Sequence, residues 1–317
     1  MSNKKPFVLL GKEIPLGGKA VLDLEVAKLH TRTTVKVPVI VERSKQTGPV
    51  LLLLAGMHGD EVNGVGIVRE IIEQKLNKPL IGTIICIPVF NIFGYLIESR
   101  EFPDGRDLNR MFPGTQNGSL ASQFAYQFTQ EIAPHVDFVL DFHTGGAERE
   151  NAPQIRIKPS DSKRLKLAQI FGAPFILYSN HISKSLRETL NKMGKTTLLF
   201  EGGKSKELNQ EIIDCGVNGA KNIMIHLGMQ EGEINIPTIP NVIEKSKWIR
   251  ASHSGMLKLK VKNGSFVQKK EVLAIIQDPF GEFKKKIYAP FDCRIFCINT
   301  TPIVNKGDAL FHVGYEE

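Results

Sequence analysis

The segment Val50-Leu-Leu-Leu-Leu-Ala-Gly-Met-His58-Gly-Asp-Glu61 places a short apolar run directly before a cluster of polar residues. Consecutive apolar residues without helical spacing indicate a strand that is buried on both faces of a sheet. Two more runs of this kind end in the same way, because Val136–Phe142 is followed by His143 and Thr196–Phe200 by Glu201. Three predicted core strands therefore each lead into a side chain capable of chemistry.

Between these runs, and the further strand candidate Thr83–Val89, the apolar residues recur with helical spacing. The helical segments are Val65–Leu76, Ser122–Ile132 and Lys163–Phe171. Alternation of strands and helices predicts an α/β domain with a mixed, mostly parallel sheet and flanking helices. Val21–Val26 and Thr34–Val41 predict an antiparallel hairpin or sheet edge before it.

The pattern changes near residue 235. Ile236-Pro-Thr-Ile-Pro240 is typical of an extended linker, and no helical periodicity follows it. We therefore predict two domains, a catalytic one over residues 1–238 and a small all-β one over 239–317. The strand candidates of the second domain are Trp248–Ala251, Gly255–Val261, Glu271–Ile276, Lys285–Tyr288, Cys293–Ile298 and Ala309–Val313.

The polar residues after the three strands suggest a metal site. Ligands bind at the carboxyl ends of strands in open α/β sheets, so these ends are expected to meet at one edge. His58, Glu61 and His143 would then provide the two histidines and one glutamate of a zinc site that leaves a position for water. We expect one Zn²⁺ per chain. Glu201 is placed to accept a proton from the activated water.

Each of these residues also has a simpler interpretation. His58 could lie in a loop without a ligand, and Glu61 could be a first-turn carboxylate favoured by the helix dipole. His143 could be a core histidine bonded to a carbonyl, and Glu201 an ion-pair partner. Their joint occurrence at three strand ends favours the metal site. Asp60 and Asp141 are candidates for the carboxylates that orient the histidine rings.

A polar, turn-rich segment from Arg100 to Gly114 contains Asp107-Leu-Asn109-Arg110. Loops of this kind often carry functional residues, and arginine suits carboxylate recognition and the stabilisation of an oxyanion. The segment could equally be a surface loop whose arginines pair with its own acidic residues. Spacing alone does not decide between these interpretations.

Four motifs together resemble the succinylglutamate desuccinylase/aspartoacylase family, a branch of the zinc carboxypeptidase-like enzymes. They are Gly-Met-His58-Gly-Asp-Glu61, Asp107-Leu-Asn109-Arg110, Asp-Phe-His143 and Phe-Glu201-Gly-Gly. The resemblance covers roughly residues 45–205. It implies zinc on the two histidines and Glu61, and Glu201 as the general base.

The resemblance also implies roles for the polar loop. Asn109 and Arg110 would hold the carboxylate of the substrate, and Arg100, with Arg106 as a competitor, would stabilise the oxyanion. The implied reaction is hydrolysis of the amide bond of a small N-acyl amino acid. Candidates for binding its acyl or side-chain end are Arg149, Arg156 and Tyr178.

The C-terminal residues resemble a biotinyl/lipoyl-type barrel-sandwich. The tip where such domains carry a modified lysine is here Asp278-Pro279-Phe280, which disfavours modification. In related deacylases a β domain narrows the mouth of the active site, so we expect that role or a part in assembly. The sequence leaves open whether the chain forms a homo-oligomer.

Composition excludes several other functions. The net charge of +8 is spread along the chain without an aromatic-interleaved basic platform, so no nucleic-acid partner is predicted. The longest apolar run is too short to span a membrane, and no signal peptide is recognised, so we expect a cytoplasmic protein with four reduced cysteines. The remaining alternatives are a metallocarboxypeptidase that acts on peptides and a non-catalytic zinc-dependent binding protein.

Overall fold

The computed structural model describes residues 6–159 and 161–315, which form a mixed α/β structure. The helices are α1 (Val62–Glu73), α2 (Ile92–Leu96), α3 (Leu120–Glu131), α4 (Ser162–Phe171), α5 (Leu186–Lys192) and α6 (Gln210–His226), with 3₁₀ turns at Leu108–Arg110 and Ala133–His135. The strands before residue 240 are β1 (Phe7–Leu9), β2 (Lys12–Ile14), β3 (Lys19–Lys28), β4 (Thr34–Arg43), β5 (Val50–Ala55), β6 (Thr83–Ile87), β7 (Phe138–Gly145), β8 (Arg149–Ile157), β9 (Phe175–Tyr178) and β10 (Thr196–Lys204). The later strands are β11 (Asn241–Ile243), β12 (Lys245–Arg250), β13 (Gly255–Leu259), β14 (Phe266–Val267), β15 (Val272–Gln277), β16 (Lys284–Tyr288), β17 (Cys293–Asn299), β18 (Ile303–Val304) and β19 (Ala309–Tyr315).

Thirteen of the described strands form one large mixed sheet. At its centre, β10, β7, β5 and β6 lie side by side and are parallel. Antiparallel strands flank this centre, with β4 and β3 beyond β6 and with β8 beyond β10. The predicted α/β class is confirmed, and so is the antiparallel pair that precedes the first central strand. A second parallel group, in which β9 pairs with β8 and β11, lies off this central path.

Helices cover both faces of the central strands. Alternate residues of β5 point to opposite faces of the sheet. Leu52 and Leu54 pack with α3 and α5 on one face, and Leu51 and Leu53 pack with α1, α4 and α6 on the other. Burial on both faces explains why this strand is a continuous apolar run rather than an alternating one.

Among the elements that the sequence analysis did not predict are β8, α5 and α6. Helix α6 contains Gly216 and Gly219, which lower helix propensity by about 1 kcal/mol each. Their lack of side chains serves packing, because a Cβ on Gly219 would lie 2.2 Å from the ring of Phe171. Strand β8 was not predicted because its sequence is largely polar. Three of its polar side chains, those of Arg149, Asn151 and Arg156, line the cleft described below.

The C-terminal strands continue the large sheet. Strand β17 pairs with β8, β19 pairs with β17 and β12 pairs with β19, all antiparallel. A separate four-stranded sheet, in the order β16-β15-β13-β18, packs with β17 and β19 of the large sheet around one cluster that includes Leu273, Ile276, Ile295 and Phe311. The all-β character predicted for the C-terminal region is therefore confirmed over the described residues 239–315. These residues also share a sheet with those before them.

Two further features concern possible membrane spans and the cysteines. In the described part of the chain, no helix is long and apolar enough to cross a membrane. All four cysteines are free, and three of them are buried.

The packing of α6 leads to a test of the fold. We expect Gly219→Ala to lower the free energy of unfolding by about 1 kcal/mol or more, because overpacking against the buried Phe171 ring outweighs the better helix propensity of alanine. Urea unfolding measures the change. Lys221→Ala, at an exposed position of the same helix, is the control. A more stable Gly219→Ala protein would show that the helix can shift away from the ring.

Candidate active site

Three strand ends converge at one edge of the sheet, as the sequence predicted. Strand β5 leads into the loop that carries His58 and Glu61, β7 carries His143, and β10 carries Glu201 opposite His143 in parallel register. The first loop is tightly packed against α2, because a Cβ on Gly59 would lie 1.8 Å from the carbonyl carbon of Gly94. This contact leaves room only for glycine and holds the loop at the edge of the sheet.

The carboxylate of Glu61 lies between the two histidines. Its Oε1 is 2.7 Å from Nδ1 of His58, and its Oε2 is 2.9 Å from Nδ1 of His143 and accepts a hydrogen bond from the backbone N–H of Thr144 at 3.1 Å. One ligand atom from each of the three side chains lies within 4.8 Å of the others. All three side chains are almost completely buried. Such a group can hold a metal ion.

The other ring nitrogens of the histidines face carboxylates. Nε2 of His58 lies 3.1 Å from Oδ1 of Asp107, and Nε2 of His143 lies 3.1 Å from Oδ2 of Asp141. Carboxylates at these positions orient metal-binding histidines and raise their basicity. Asp141 was expected in this role. For His58 the structure supplies Asp107, from the polar loop, rather than Asp60.

The charges in this cluster balance one another. Burial raises the pKa of Glu61, but the two histidines outweigh it and bring that pKa well below its usual value. Burial lowers the pKa of both histidines, but the surrounding carboxylates raise it by more. The pKa of each histidine therefore lies above its usual value. Positive charge is therefore favoured at the centre of the cluster, and a divalent cation can supply it. Two imidazole nitrogens and a carboxylate oxygen are a donor set that suits zinc.

Arg100 also belongs to this cluster. Its Nη1 donates to Glu61 at 3.2 Å and its Nη2 donates to Asp107 at 2.8 Å, so the guanidinium lies beside the histidines. Arg106, the competing candidate, is exposed and pairs with Asp104 outside the cleft. The geometry thus separates two arginines that the sequence left as alternatives.

Glu201 is held by strand β8. Its Oε2 accepts a hydrogen bond from Nδ2 of Asn151 at 2.8 Å, and its Oε1 lies 3.5 Å from Nη1 of Arg156. A bulge in β8 lets both partners face the same side, since Gln154 opposes Glu201 while Asn151, three residues earlier, opposes Gly203. Both contacts hold the carboxylate at the wall of the cleft.

A cleft of about 370 Å³ joins these groups. Asn109 and Arg110 line it together with the three candidate ligands, Arg100 and Glu201, so all the predicted site residues meet there. Asn109 also accepts a hydrogen bond from the backbone of Leu186 at 2.9 Å and so attaches α5 to the loop. Of the candidates for the far end of a substrate, Arg149 and Arg156 line the cleft, whereas Tyr178 packs against the core.

Several cleft residues were not found from the sequence. Arg187 on α5 is buried, and its side chain donates to the backbone oxygens of Arg156 and Asn180. Burial and the nearby Arg156 lower the pKa of Arg187 to about 10, which still leaves it charged at neutral pH. Trp248 and His312 line the cleft from the C-terminal strands. No motif marks them, although Trp248 is the single tryptophan of the chain.

Comparison with known proteins identifies relatives of this chain. Residues 47–227 match the model of the succinylglutamate desuccinylase/aspartoacylase catalytic domain. The chain is 30% identical over 256 residues to the N-alpha-acetyl-L-2,4-diaminobutyric acid deacetylase of Halomonas elongata, covering 77% of this chain and 75% of the relative.

Two solved structures share the fold over almost the whole chain. The product-bound ectoine utilization protein EutE (DoeB) of Ruegeria pomeroyi aligns with a TM-score of 0.83 at 22% identity, covering 99% of this chain and all of the other. A succinylglutamate desuccinylase/aspartoacylase of Rhodobacter sphaeroides aligns with a TM-score of 0.81 at 22% identity, covering 94% and 95%.

The matched residues contain all four sequence motifs as well as every predicted site residue, which confirms the resemblance seen in the sequence. The deacetylase relative extends the similarity beyond the catalytic domain. The chain belongs to the succinylglutamate desuccinylase/aspartoacylase family of deacylating hydrolases.

Proposed function

We propose that this protein is a zinc-dependent deacylase that hydrolyses the amide bond of a small N-acyl amino acid. The observation that carries the proposal is the buried group of His58, Glu61 and His143 beside Glu201 on the neighbouring strand. When bound, zinc would supply the Lewis acidity that lowers the pKa of water and polarises a carbonyl group. One ion per chain would occupy the group.

Glu201 acts as the general base in this proposal. Its carboxylate accepts a proton from the attacking water and passes it to the nitrogen of the leaving amine. Asn151 and Arg156 hold the carboxylate in the cleft, so that it is positioned to accept the proton. A binding protein would need no such base beside its metal, which argues against the non-catalytic alternative.

Arg100 stabilises the negative charge that develops on the carbonyl oxygen. Its guanidinium is held by Glu61 and Asp107 and needs little reorganisation during the reaction, which makes such stabilisation effective. Asn109 and Arg110 bind the carboxylate of the substrate, and Arg187 adds a buried positive charge to the cleft. These groups suit an anionic substrate.

The size of the cleft supports a small substrate. A volume of about 370 Å³, bordered by Trp248 and His312, suits one N-acyl amino acid better than a peptide chain. We therefore favour a deacylase over a carboxypeptidase. The deacetylase relative makes N-acetyl-2,4-diaminobutyrate a reasonable first compound in a screen of acetyl and succinyl amino acids.

Metal content provides the first test. We expect about one zinc per chain in the purified protein by elemental analysis, because the three ligands form a catalytic-type site. His143→Ala should lose the metal, and His226→Ala, at the exposed end of α6, should keep it. A wild-type protein that contains no metal and takes up none from added zinc would rule out the proposed mechanism.

Substitution of the base separates chemistry from metal binding. Glu201→Gln keeps the size of the side chain but cannot accept the proton, so kcat should fall by about 10²-fold to 10⁴-fold while zinc is retained. The control is Glu207→Gln, at an exposed glutamate a few residues away. Turnover close to that of the wild type in Glu201→Gln would remove Glu201 from the base role.

Asp107 should affect the metal through His58. We expect Asp107→Asn to weaken zinc binding by about 10-fold to 100-fold, because it removes the charge that orients the His58 ring. Competition with a chelator measures the affinity. Asp104→Asn, in the same loop but without contact to either histidine, is the matched control. Equal affinities in the two variants would show that the contact between Asp107 and His58 does not support the metal site.

A further inference from the structure

A row of side chains runs from the neighbourhood of Glu201 into the C-terminal strands. The row begins at Asn151 of β8, which bonds Glu201. Across the next three strands, Asn151 is paired with Cys297, Cys297 with His312, and His312 with Trp248. All four residues line the cleft. Adjacent strands lie about 4.8 Å apart, so this row extends roughly 14 Å from Asn151 to Trp248. The cleft therefore has a distal end, built by the C-terminal strands and far from the metal ligands.

An aromatic stack forms this distal end. The rings of Trp248 and His312 lie 4.4 Å apart and are nearly parallel, at 11°, and Phe296 packs on His312 at 4.4 Å. His312 also lies 3.1 Å from the hydroxyl of Ser246. Burial, together with Arg156 and Arg149, lowers the pKa of His312 to about 3, so the stack is uncharged at neutral pH. It is a rigid, neutral surface.

Arg149 lies over this surface. Its guanidinium carbon is 5.5 Å from the centre of the Trp248 ring, a cation–π contact. The two carboxylates that flank it in the chain have other partners, since Glu148 pairs with Lys204 and Glu150 accepts from Asn263. Among the described residues, the buried Nε of Arg149 has no hydrogen-bond partner and no carboxylate forms an ion pair with it. A partly buried cation with free donors favours an anionic ligand.

We propose that Arg149 is a second anion-binding subsite for the substrate and that Trp248 and His312 are positioning residues that hold it in place. This inference rests on the proposed deacylase function. The subsite lies where β8 meets the C-terminal strands, because Arg149 opposes Asn299 and contacts Trp248, whereas Asn109 bonds α5. It therefore binds a carboxylate several bonds from the scissile amide, at the end of a dicarboxylic acyl group or of an acidic side chain.

Two substrate pairs test this subsite. N-succinyl-L-alanine against N-pentanoyl-L-alanine varies the charge of the acyl end, and N-acetyl-L-glutamate against N-acetyl-L-glutamine varies that of the side chain. We expect the zinc-loaded enzyme to prefer the charged member of one pair, which identifies the end that Arg149 binds. In Arg149→Gln the ratio of kcat/KM values, charged over neutral, should fall by about 10-fold to 100-fold, mainly through KM.

The positioning role is tested at Trp248. Trp248→Leu removes the aromatic face and, like Arg149→Gln, should reduce the charged-over-neutral ratio of kcat/KM values. Trp248→Phe retains a ring and should restore most of that ratio. Arg294 provides a matched control, because its guanidinium also lies 5.5 Å over an aromatic ring, that of Phe266, outside the cleft. Arg294→Gln should leave the ratio unchanged. The proposal fails if neither pair is discriminated, or if Arg149→Gln affects both members of each pair equally.

Binding without turnover distinguishes failure of the subsite from failure of the deacylase function. Trp248 is the single tryptophan of the chain, so its fluorescence reports directly on the stack. In zinc-loaded Glu201→Gln protein, the charged member of at least one pair should change the emission in a saturable way, and the additional substitution Arg149→Gln should abolish the change. Saturable binding with no hydrolysis by wild type would retain the subsite and reject the deacylase. Hydrolysis with no charge-dependent change in emission would reject the subsite and retain the deacylase function.

Discussion

Two histidine rings hold the carboxylate of Glu61 at 2.7 and 2.9 Å in a part of the molecule that solvent hardly reaches. Burying an ionised carboxylate without compensation costs several kcal/mol. The groups that compensate for this cost come from the loop after β5, from β7 and from the polar loop that follows β6. The cluster therefore forms only when the parallel strands are in register. The central sheet and this cluster are therefore stabilised together.

The polar strand β8 connects this cluster to the rest of the cleft. On one side its residues Asn151 and Arg156 hold Glu201, and on the other side the strand pairs with β17 of the C-terminal region. The bulge between Asn151 and Gln154 allows polar side chains on both sides of it to face the cleft. One irregular strand thus joins the proposed base to the aromatic surface of the C-terminal strands. This continuity explains how a region with its own small core can shape the cleft.

Much of the centre was predictable because its residues depend on local pattern. Val50–Ala55 is the same segment in the prediction and in the structure, and the helices predicted at Val65–Leu76 and Ser122–Ile132 correspond to α1 and α3 with shifted ends. Strand β8 and helix α6 were missed for opposite reasons. The strand is polar because it faces the cleft, and the helix contains glycines because neighbouring side chains pack closely against it. In both cases tertiary contacts override the local preference.

The family, the central strands and the polar residues that follow them could be recognised from the sequence, because strand periodicity and short motifs are properties of neighbouring residues. The same patterns predicted that His58, Glu61, His143 and Glu201 lie at one edge, since parallel strands must end together. Tertiary contacts were needed to show that Asp107 rather than Asp60 faces His58 and that Arg187, Trp248 and His312 enter the cleft. These contacts join residues far apart in the chain, and their geometry depends on register, bulges and packing that no local pattern encodes.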